Sequence, residues 1–250
     1  MKIPYTQPSK IQVFEKPTQE DDLRIRHLLP AYENGRPVQA GLLGVPSDAG
    51  VVQGGGRAGA ALGPEAVRLQ LKRYGTAYNF ERRADLGALA LADFGDLIPD
   101  EKSVERTHDR LTEAVEAIVG LNAIPILIGG GHDLTFGGVR ALARRAEGEI
   151  GGVALDAHFD VREAPNGVVT SGTPFWNILE KIGNIRGDRF IEIGGNGLVN
   201  AKEHFDYLQR KKARLFSLSE TRQRGIGPVV EQALQISGRR SKKIFCSIDL

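Results

Sequence analysis

Residues 150–160, Ile-Gly-Gly-Val-Ala-Leu-Asp-Ala-His-Phe-Asp, give the clearest indication of the fold. The uncharged run 150–155 comes first, and Asp156, His158 and Asp160 follow at every second position. A short run of this kind is typical of a strand that is buried on both faces of a parallel sheet. Such sheets bind ligands beyond the carboxyl ends of their strands, so the polar residues after 155 are candidates for a functional site.

The same pattern recurs outward from this stretch. Further strands are predicted at 39–45, 88–94, 123–128, 190–193, 214–218 and 243–250. Stretches with helical spacing lie between them, for example 64–74 and 104–121, and Ser103 is placed to cap the second. This alternation predicts an α/β fold, a three-layer sandwich around a mostly parallel central sheet. We assign residues 1–250 to a single domain in which 1–38 is an irregular N-terminal arm.

The composition excludes several classes of protein. The 250 residues include 33 basic and 31 acidic side chains, a net charge of +2, which does not favour a nucleic-acid binder. A single cysteine excludes an intrachain disulfide and a cysteine-based zinc cluster. No apolar run reaches the roughly 18 residues of a membrane span, and the polar start does not resemble a signal peptide. We therefore expect a soluble cytoplasmic protein that binds neither nucleic acid nor membrane.

Ionisable residues follow three of the predicted strands. The run 123–128 ends in Gly-Gly-Gly-His132-Asp133, and the last run ends in Ser-Ile-Asp249-Leu250. Neighbouring parallel strands end about 5 Å apart, so these groups and those of 156–160 can converge. Clustered carboxylates repel one another unless a cation neutralises them. Carboxylate and imidazole ligands suit Mn²⁺, Zn²⁺ or Fe²⁺, and two such ions can share a bridging hydroxide as nucleophile.

Other features suggest structural functions. We interpret His27, His108 and His204 as surface or packing residues, because no acidic cluster lies near them in the sequence. The glycine-rich stretch 54–59 lacks the Lys-Ser/Thr end of a phosphate-binding loop, and a flexible loop is the better interpretation. Cys246 lies in a predicted strand, which favours an inert thiol in the core.

These motifs resemble those of the ureohydrolase family, which includes arginase, agmatinase and formimidoylglutamase. The resemblance spans about residues 44–250 and rests on the segments 44–50, 56–59, 63–64, 93–96, 129–133, 156–160 and 247–249. It implies an α/β sandwich around an eight-stranded parallel sheet and a dinuclear manganese centre. By this resemblance His132, Asp156, Asp160 and Asp249 are ligands of one Mn²⁺. The other would be bound by Asp156, His158 and Asp249.

Details of the resemblance favour the formimidoylglutamase branch. Gly131 stands where arginases and agmatinases usually have Asp, and Arg162 stands where arginases have Asn. Ser171 is near the position of an arginase histidine, and 171–175 resembles the formimidoylglutamase pattern. The guanidinium of Arg162 would attract a carboxylate, so we expect an acidic amidine substrate that contacts Arg162, Ser171 and Thr173.

The implied reaction is the manganese-dependent hydrolysis of N-formimidoyl-L-glutamate to L-glutamate and formamide in histidine degradation. Asp160 and His158 are the expected catalytic residues. A homo-oligomer is an open expectation.

One departure from the family pattern leaves alternatives open. The family's third motif continues Ser-x-Asp-x-Asp-x-x-Asp-Pro, whereas this sequence stops at Leu250, before the second Asp. We therefore expect a C-terminally truncated domain without its last strand and helices, an incomplete second metal site and poor stability. One alternative function is an agmatinase or guanidino-acid hydrolase. Another is a non-catalytic metal-binding relative or an inactive fragment.

Overall fold

The computed structural model describes residues 2–19, 22–164 and 167–250. Its strands are β1 (Thr6–Gln7), β2 (Ala40–Gly44), β3 (Tyr78–Asn79), β4 (Ala84–Asp85), β5 (Leu91–Leu97), β6 (Ile124–Ile128), β7 (Ile150–Leu155), β8 (Ile185–Gly195), β9 (Arg214–Ser217) and β10 (Lys243–Ile248). Its α-helices are α1 (Ala49–Gln53), α2 (Gly63–Arg73), α3 (Val104–Gly120), α4 (Leu134–Arg145), α5 (Pro174–Lys181), α6 (Lys202–Arg210), α7 (Leu218–Arg224) and α8 (Ile226–Ser237). Short 3₁₀ helices lie at Ile25–His27, Ala60–Leu62 and Leu86–Ala88. None of the helices described is long and apolar enough to cross a membrane.

The described residues form two compact units. One contains residues up to 52 and 56–134, and the other contains 53–55 and 135–250. The assignment of 1–250 to a single domain includes residues 1, 20, 21, 165 and 166, which lie outside the described part, and it stays a prediction.

The first unit contains a four-stranded sheet in the order β1-β5-β2-β6. β2 is parallel to both β5 and β6. β1 pairs antiparallel with β5, with Thr6 opposite Leu97. The N-terminal arm therefore adds a short edge strand to the sheet and buries Ile3 and Val13. The prediction of an irregular arm at 1–38 did not include this strand. The reason is that two extended residues suffice to pair with β5, and so short a strand leaves no periodic pattern in the sequence.

Helix α3 of the first unit forms as its sequence predicts. The side chain of Ser103 accepts a hydrogen bond from the backbone N–H of Arg106, which caps the first turn. Leu111, Val115 and Ile118 recur at helical spacing and are buried. The apolar stripe packs α3 against β5 and β6 and so fixes these strands beneath it.

The second unit is a three-layer sandwich. Its sheet has the order β10-β7-β8-β9, and all of its pairings are parallel. Neighbouring residues of a strand project to opposite faces, so Val153 and Ala154 belong to different cores. On one face the sheet packs against α4, α5 and α6, where Phe175 is fully buried, and on the other it packs against α8 through Val229.

The predicted fold class is confirmed, since the chain is α/β with mostly parallel sheets. The eight-stranded sheet implied by the resemblance is not what the described residues form. They give two four-stranded sheets and a two-stranded antiparallel sheet of β3 and β4. β6 and β10 are each the last strand in their sheet. β8 extends from Ile185 to Gly195, well beyond the predicted 190–193, because its first half contains charged residues that the apolar pattern does not detect.

Candidate metal centre

The pairing of β7 with β10 places two aspartates side by side. Ile248 lies opposite Leu155 in this parallel ladder. The backbone N–H of Asp249 then donates to the carbonyl of Leu155 at 3.0 Å. Asp156 and Asp249, each the next residue along its strand, therefore leave the sheet at the same edge. This is the carboxyl edge, where parallel sheets bind ligands.

Asp160 reaches the same place from the loop that follows β7. Its φ is +44°, in the left-handed region, which residues other than Gly, Asn and Asp seldom adopt. Its carbonyl accepts a hydrogen bond from the N–H of Phe175 at 3.1 Å, which holds the loop against the start of α5.

Three carboxylates converge at this edge of the second unit. One oxygen from each of Asp156, Asp160 and Asp249 lies within 4.8 Å of the others. Asp156 is buried, Asp160 is half-buried and Asp249 is exposed. Three like charges at this separation repel one another, and a divalent cation would relieve the repulsion. Oxygen ligands suit Mn²⁺, so the residues present fit such an ion, and their function as ligands stays a prediction.

His158 lies beside this carboxylate cluster. Its backbone N–H donates to Oδ1 of Asp156 at 2.8 Å, and its ring Nδ1 is 3.5 Å from the same oxygen. The ring is 55% exposed. The structure thus places His158 within reach of Asp156, while its predicted functions as metal ligand and catalytic residue stay predictions.

His132 belongs to the first unit, in the loop after β6. Gly130 in that loop is so close to the chain at Ser47 that a Cβ atom would lie 2.2 Å from the Ser47 carbonyl oxygen. The N–H of Gly131 donates to that same carbonyl at 2.9 Å. The glycines before His132 are therefore needed for close packing of the backbone. The function of His132 as a metal ligand stays a prediction.

The residue after His132 belongs to a pair that the sequence did not indicate. Oδ2 of Asp133 lies 2.8 Å from Nε2 of His108 in α3, and both side chains are buried. His108 is a packing residue, as expected, but it packs as one half of a hydrogen-bonded pair. No local signal could have shown this, because 25 residues separate the partners.

The predicted substrate contacts lie between β7 and α5. The N–H of Arg162 donates to the carbonyl of Gly172 at 2.9 Å, and the Arg162 side chain is exposed. Ser171 is half-buried. Thr173 is buried, and its hydroxyl donates to the carbonyl of Thr170 at 2.8 Å, which stabilises the turn before α5. Contact of Arg162, Ser171 and Thr173 with a substrate stays a prediction.

One backbone N–H group of the glycine-rich stretch 54–59 donates a hydrogen bond to a carboxylate of the protein itself. Oδ2 of Asp48 accepts hydrogen bonds from the N–H groups of Gly59 and Ala61 at 2.6 and 3.2 Å. The hydrogen bond from Gly59 is the main reason that the pKa of Asp48 lies below its usual value. The N–H of Gly59 is therefore already bonded to an anion of the protein, which agrees with the interpretation that this stretch is not a phosphate-binding loop.

The prediction for Cys246 was wrong, and one cavity was not predicted from the sequence. Cys246 is exposed and does not lie in the core, because it alternates along β10 with the buried residues Phe245 and Ser247 and so projects to the opposite face. Burial of part of the residue still raises the pKa of its thiol. A cavity of about 410 Å³ lies at the carboxyl ends of β8 and β9, and the sequence did not indicate it. Its lining includes Phe159, Asn200, Lys202 and Glu220.

Comparison with known proteins gives consistent matches. Residues 38–250 match the Arginase family. The chain is 28% identical over 233 residues to the formimidoylglutamase of Halalkalibacterium halodurans, which covers 90% of this chain and 71% of that protein. It is 26% identical over 212 residues to the formimidoylglutamase of Bacillus subtilis, covering 84% of this chain and 64% of the relative.

Solved structures agree with the sequence matches. A crystal structure of Trypanosoma cruzi formiminoglutamase with Mn²⁺ superposes with a TM-score of 0.80 at 35% identity, covering 88% of this chain and 73% of that chain. The chain thus spans between about two thirds and three quarters of the length of these relatives.

Proposed function

The chain belongs to the arginase family, and from that membership we propose that it hydrolyses a C–N bond of N-formimidoyl-L-glutamate. The products would be L-glutamate and formamide, as in histidine degradation. The relatives described above are named formimidoylglutamases or formiminoglutamases, which indicates a hydrolase that acts on C–N bonds. The observation that carries the proposal is the cluster of Asp156, Asp160 and Asp249 at the carboxyl edge of a parallel sheet.

We propose Mn²⁺ as the cofactor. The metal in the T. cruzi structure is Mn²⁺, and three carboxylates within 4.8 Å are a suitable set of oxygen ligands for it. Asp156, Asp160 and Asp249 would bind the ion, with His132 and His158 as the proposed nitrogen ligands. When bound, such ions supply Lewis acidity and lower the pKa of water.

The protein's own groups would orient the reaction. Asp156 is buried, which restricts the movement of its carboxylate, and the exposed ring of His158 lies beside it. The proposed catalytic side chains at this edge, those of Asp160 and His158, would accept or release a proton while the substrate loses its amine. The exposed guanidinium of Arg162 would pair with a substrate carboxylate, and Ser171 would add a hydroxyl contact.

A guanidino-acid hydrolase is the second candidate. The human mitochondrial guanidino acid hydrolase is 26% identical over 223 residues, covering 89% of this chain and 61% of that protein. Its named substrate class is also acidic, so Arg162 fits both candidates. A cationic substrate such as agmatine would instead be repelled by Arg162.

The test is an assay of N-formimidoyl-L-glutamate, a guanidino acid, agmatine and arginine, each with Mn²⁺. We expect hydrolysis of N-formimidoyl-L-glutamate to exceed the others, and the substitution Arg162→Asn to weaken the acidic substrates far more than agmatine. Faster hydrolysis of arginine or agmatine by the unmodified protein would contradict the proposal. Mn²⁺ binding without hydrolysis of any of the four would favour a non-catalytic relative.

A further inference from the structure

The side-chain amide of Asn200 holds the backbone on both sides of His158. Its Nδ2 donates to the carbonyl of Ala157 at 2.8 Å. Its Oδ1 accepts from the N–H of Phe159 at 2.8 Å. These two backbone groups belong to the residues immediately before and after His158. One amide therefore fixes the two peptide groups that determine the position and direction of this side chain.

The same amide connects the loop to the end of β8. A second hydrogen bond from Nδ2 reaches the carbonyl of Asn196 at 2.9 Å. The N–H of Asn196 in turn donates to the carbonyl of Ala157 at 2.9 Å. The result is a closed set of hydrogen bonds between the segments 157–159 and 196–200. These contacts hold the candidate site from the side opposite to β10.

The amide of Asn200 matches the hydrogen-bonding groups around it. The site needs two donors for the carbonyls of Ala157 and Asn196 and one acceptor for the N–H of Phe159. A carboxylate has no donor, and alanine has neither donor nor acceptor. The N–H of His158 also donates to Oδ1 of Asp156 at 2.8 Å, and that contact depends on where His158 is held.

We propose that Asn200 is a positioning residue for the metal centre. It fixes the backbone around His158 and, through the loop, the carboxylates of Asp156 and Asp160, so that these groups are already arranged for a cation. This inference rests on the proposed function. Partners that orient metal ligands in this way typically change metal affinity by about 10–100-fold when they are removed.

The first measurement is the affinity for Mn²⁺, from titration followed by the electron paramagnetic resonance of the free ion. Asn200→Ala should raise the Kd by about tenfold or more. The matched control is Asn184→Ala. Nδ2 of Asn184 also bridges two carbonyls, those of Ala143 and Gly148, but at the opposite end of β8. This control should lower the melting temperature and leave the Kd for Mn²⁺ within about twofold.

The second measurement is hydrogen exchange at the amide of Phe159 without metal. Asn200→Ala removes its acceptor and should speed exchange there, whereas the control Asn184→Ala keeps Asn200 and should leave exchange at Phe159 unchanged. If exchange at Phe159 in Asn200→Ala matches that of the unmodified protein, or if both alanine variants weaken Mn²⁺ equally, the inference is wrong. If the unmodified protein binds no Mn²⁺, the proposed function fails, and the exchange at Phe159 alone decides whether Asn200 holds the loop.

Discussion

Asp156 is buried at the carboxyl end of β7, with the carboxylates of Asp160 and Asp249 close beside its own. One of its oxygens also accepts a hydrogen bond from the backbone N–H of His158. The residue therefore combines two functions at one position, since it shapes the loop and contributes charge to the cluster. Substitutions that keep its shape and remove its charge separate these functions.

We predict that Asp156→Asn lowers both Mn²⁺ content and turnover by orders of magnitude. The amide can still accept from His158, but the cluster loses one of its negative charges, and a divalent ion is then less well neutralised. Metal analysis and the rate with N-formimidoyl-L-glutamate are the measurements. Asp206→Asn is the control, because Asp206 is an exposed partner of Lys202 on α6. Unchanged turnover and metal content in Asp156→Asn would contradict the proposed centre.

Arg68 in α2 is the most deeply buried cation of the first unit that the structure describes. It donates to both carboxylate oxygens of Asp93 at 2.8 Å and to Asp96 at 2.6 Å. Burial acts to lower the pKa of Arg68, and the hydrogen bonds and charges of the two aspartates outweigh it, so the pKa is raised. The guanidinium therefore stays charged and links α2 to β5.

Arg68→Met should destabilise the first unit by about 3–5 kcal/mol, because it leaves the buried carboxylate of Asp93 without its cation. The comparison is Lys72→Met on the same helix. Lys72 forms an exposed ion pair with Glu15, and its loss should change stability by about 0–1 kcal/mol. Urea unfolding of the two variants gives both values. Similar losses would show that Arg68 contributes no more than a surface charge.

At the scale of elements, α5 and α6 are joined through Glu180. Its carboxylate accepts a hydrogen bond from the hydroxyl of Tyr207 in α6 and pairs with Lys211 at 2.9 Å. Partial burial acts to raise the pKa of Glu180, and the hydrogen bonds from Lys211 and Tyr207 outweigh it. The pKa is therefore below its usual value. Burial and Glu180 together raise the pKa of Tyr207, so its hydroxyl remains a donor.

This lowered pKa predicts the pH dependence of the α5–α6 contact. Because Glu180 binds its proton more weakly in the folded state, its contribution to stability is complete above about pH 5 and is lost as the pH falls through the depressed pKa. Glu180→Gln should therefore lower the melting temperature near neutral pH and reduce the further loss between about pH 5 and pH 3. Melts by circular dichroism across that range measure this. If the melting temperatures of the two proteins fall by the same amount between about pH 5 and pH 3, the prediction is wrong.

Across the whole molecule, each four-stranded sheet ends in a strand that carries exposed apolar side chains. Ile124 and Ile126 of β6 are 68% and 48% exposed, and Ile248 of β10 is 64% exposed. In the part of the chain that the structure describes, β6 pairs only with β2 and β10 only with β7. Strand edges with apolar residues favour pairing with another chain.

We therefore predict concentration-dependent association through these edges. Replacing Ile124 and Ile126 with lysine should reduce it, because charged side chains on an edge strand oppose pairing between strands. Leu69→Lys, at an exposed apolar position on α2 of the same unit, should have little effect. Sedimentation velocity at several concentrations provides the measurement. Equal association of all three proteins would show that the β6 edge is not the contact.

The amino-acid sequence determined the local features of this protein. The run 150–155, the cap at Ser103 and the apolar stripe of α3 are found where the sequence predicted them. Asp156 likewise lies just beyond the predicted strand, whereas β10 ends at Ile248, before Asp249, and not at the predicted residue 250. Periodicity, capping and strand ends depend on neighbours in the sequence, and for this reason they could be predicted without the fold.

Only the tertiary structure decided which of these local features meet. The pairing of β10 with β7 brings Asp249 beside Asp156. Folding also pairs His108 with Asp133 and places the amide of Asn200 around His158. The partners in each case are separated by 25 to 93 positions in the numbering of the chain. Such contacts are determined by the packing of whole strands and helices, and no pattern within a short window of sequence contains that information.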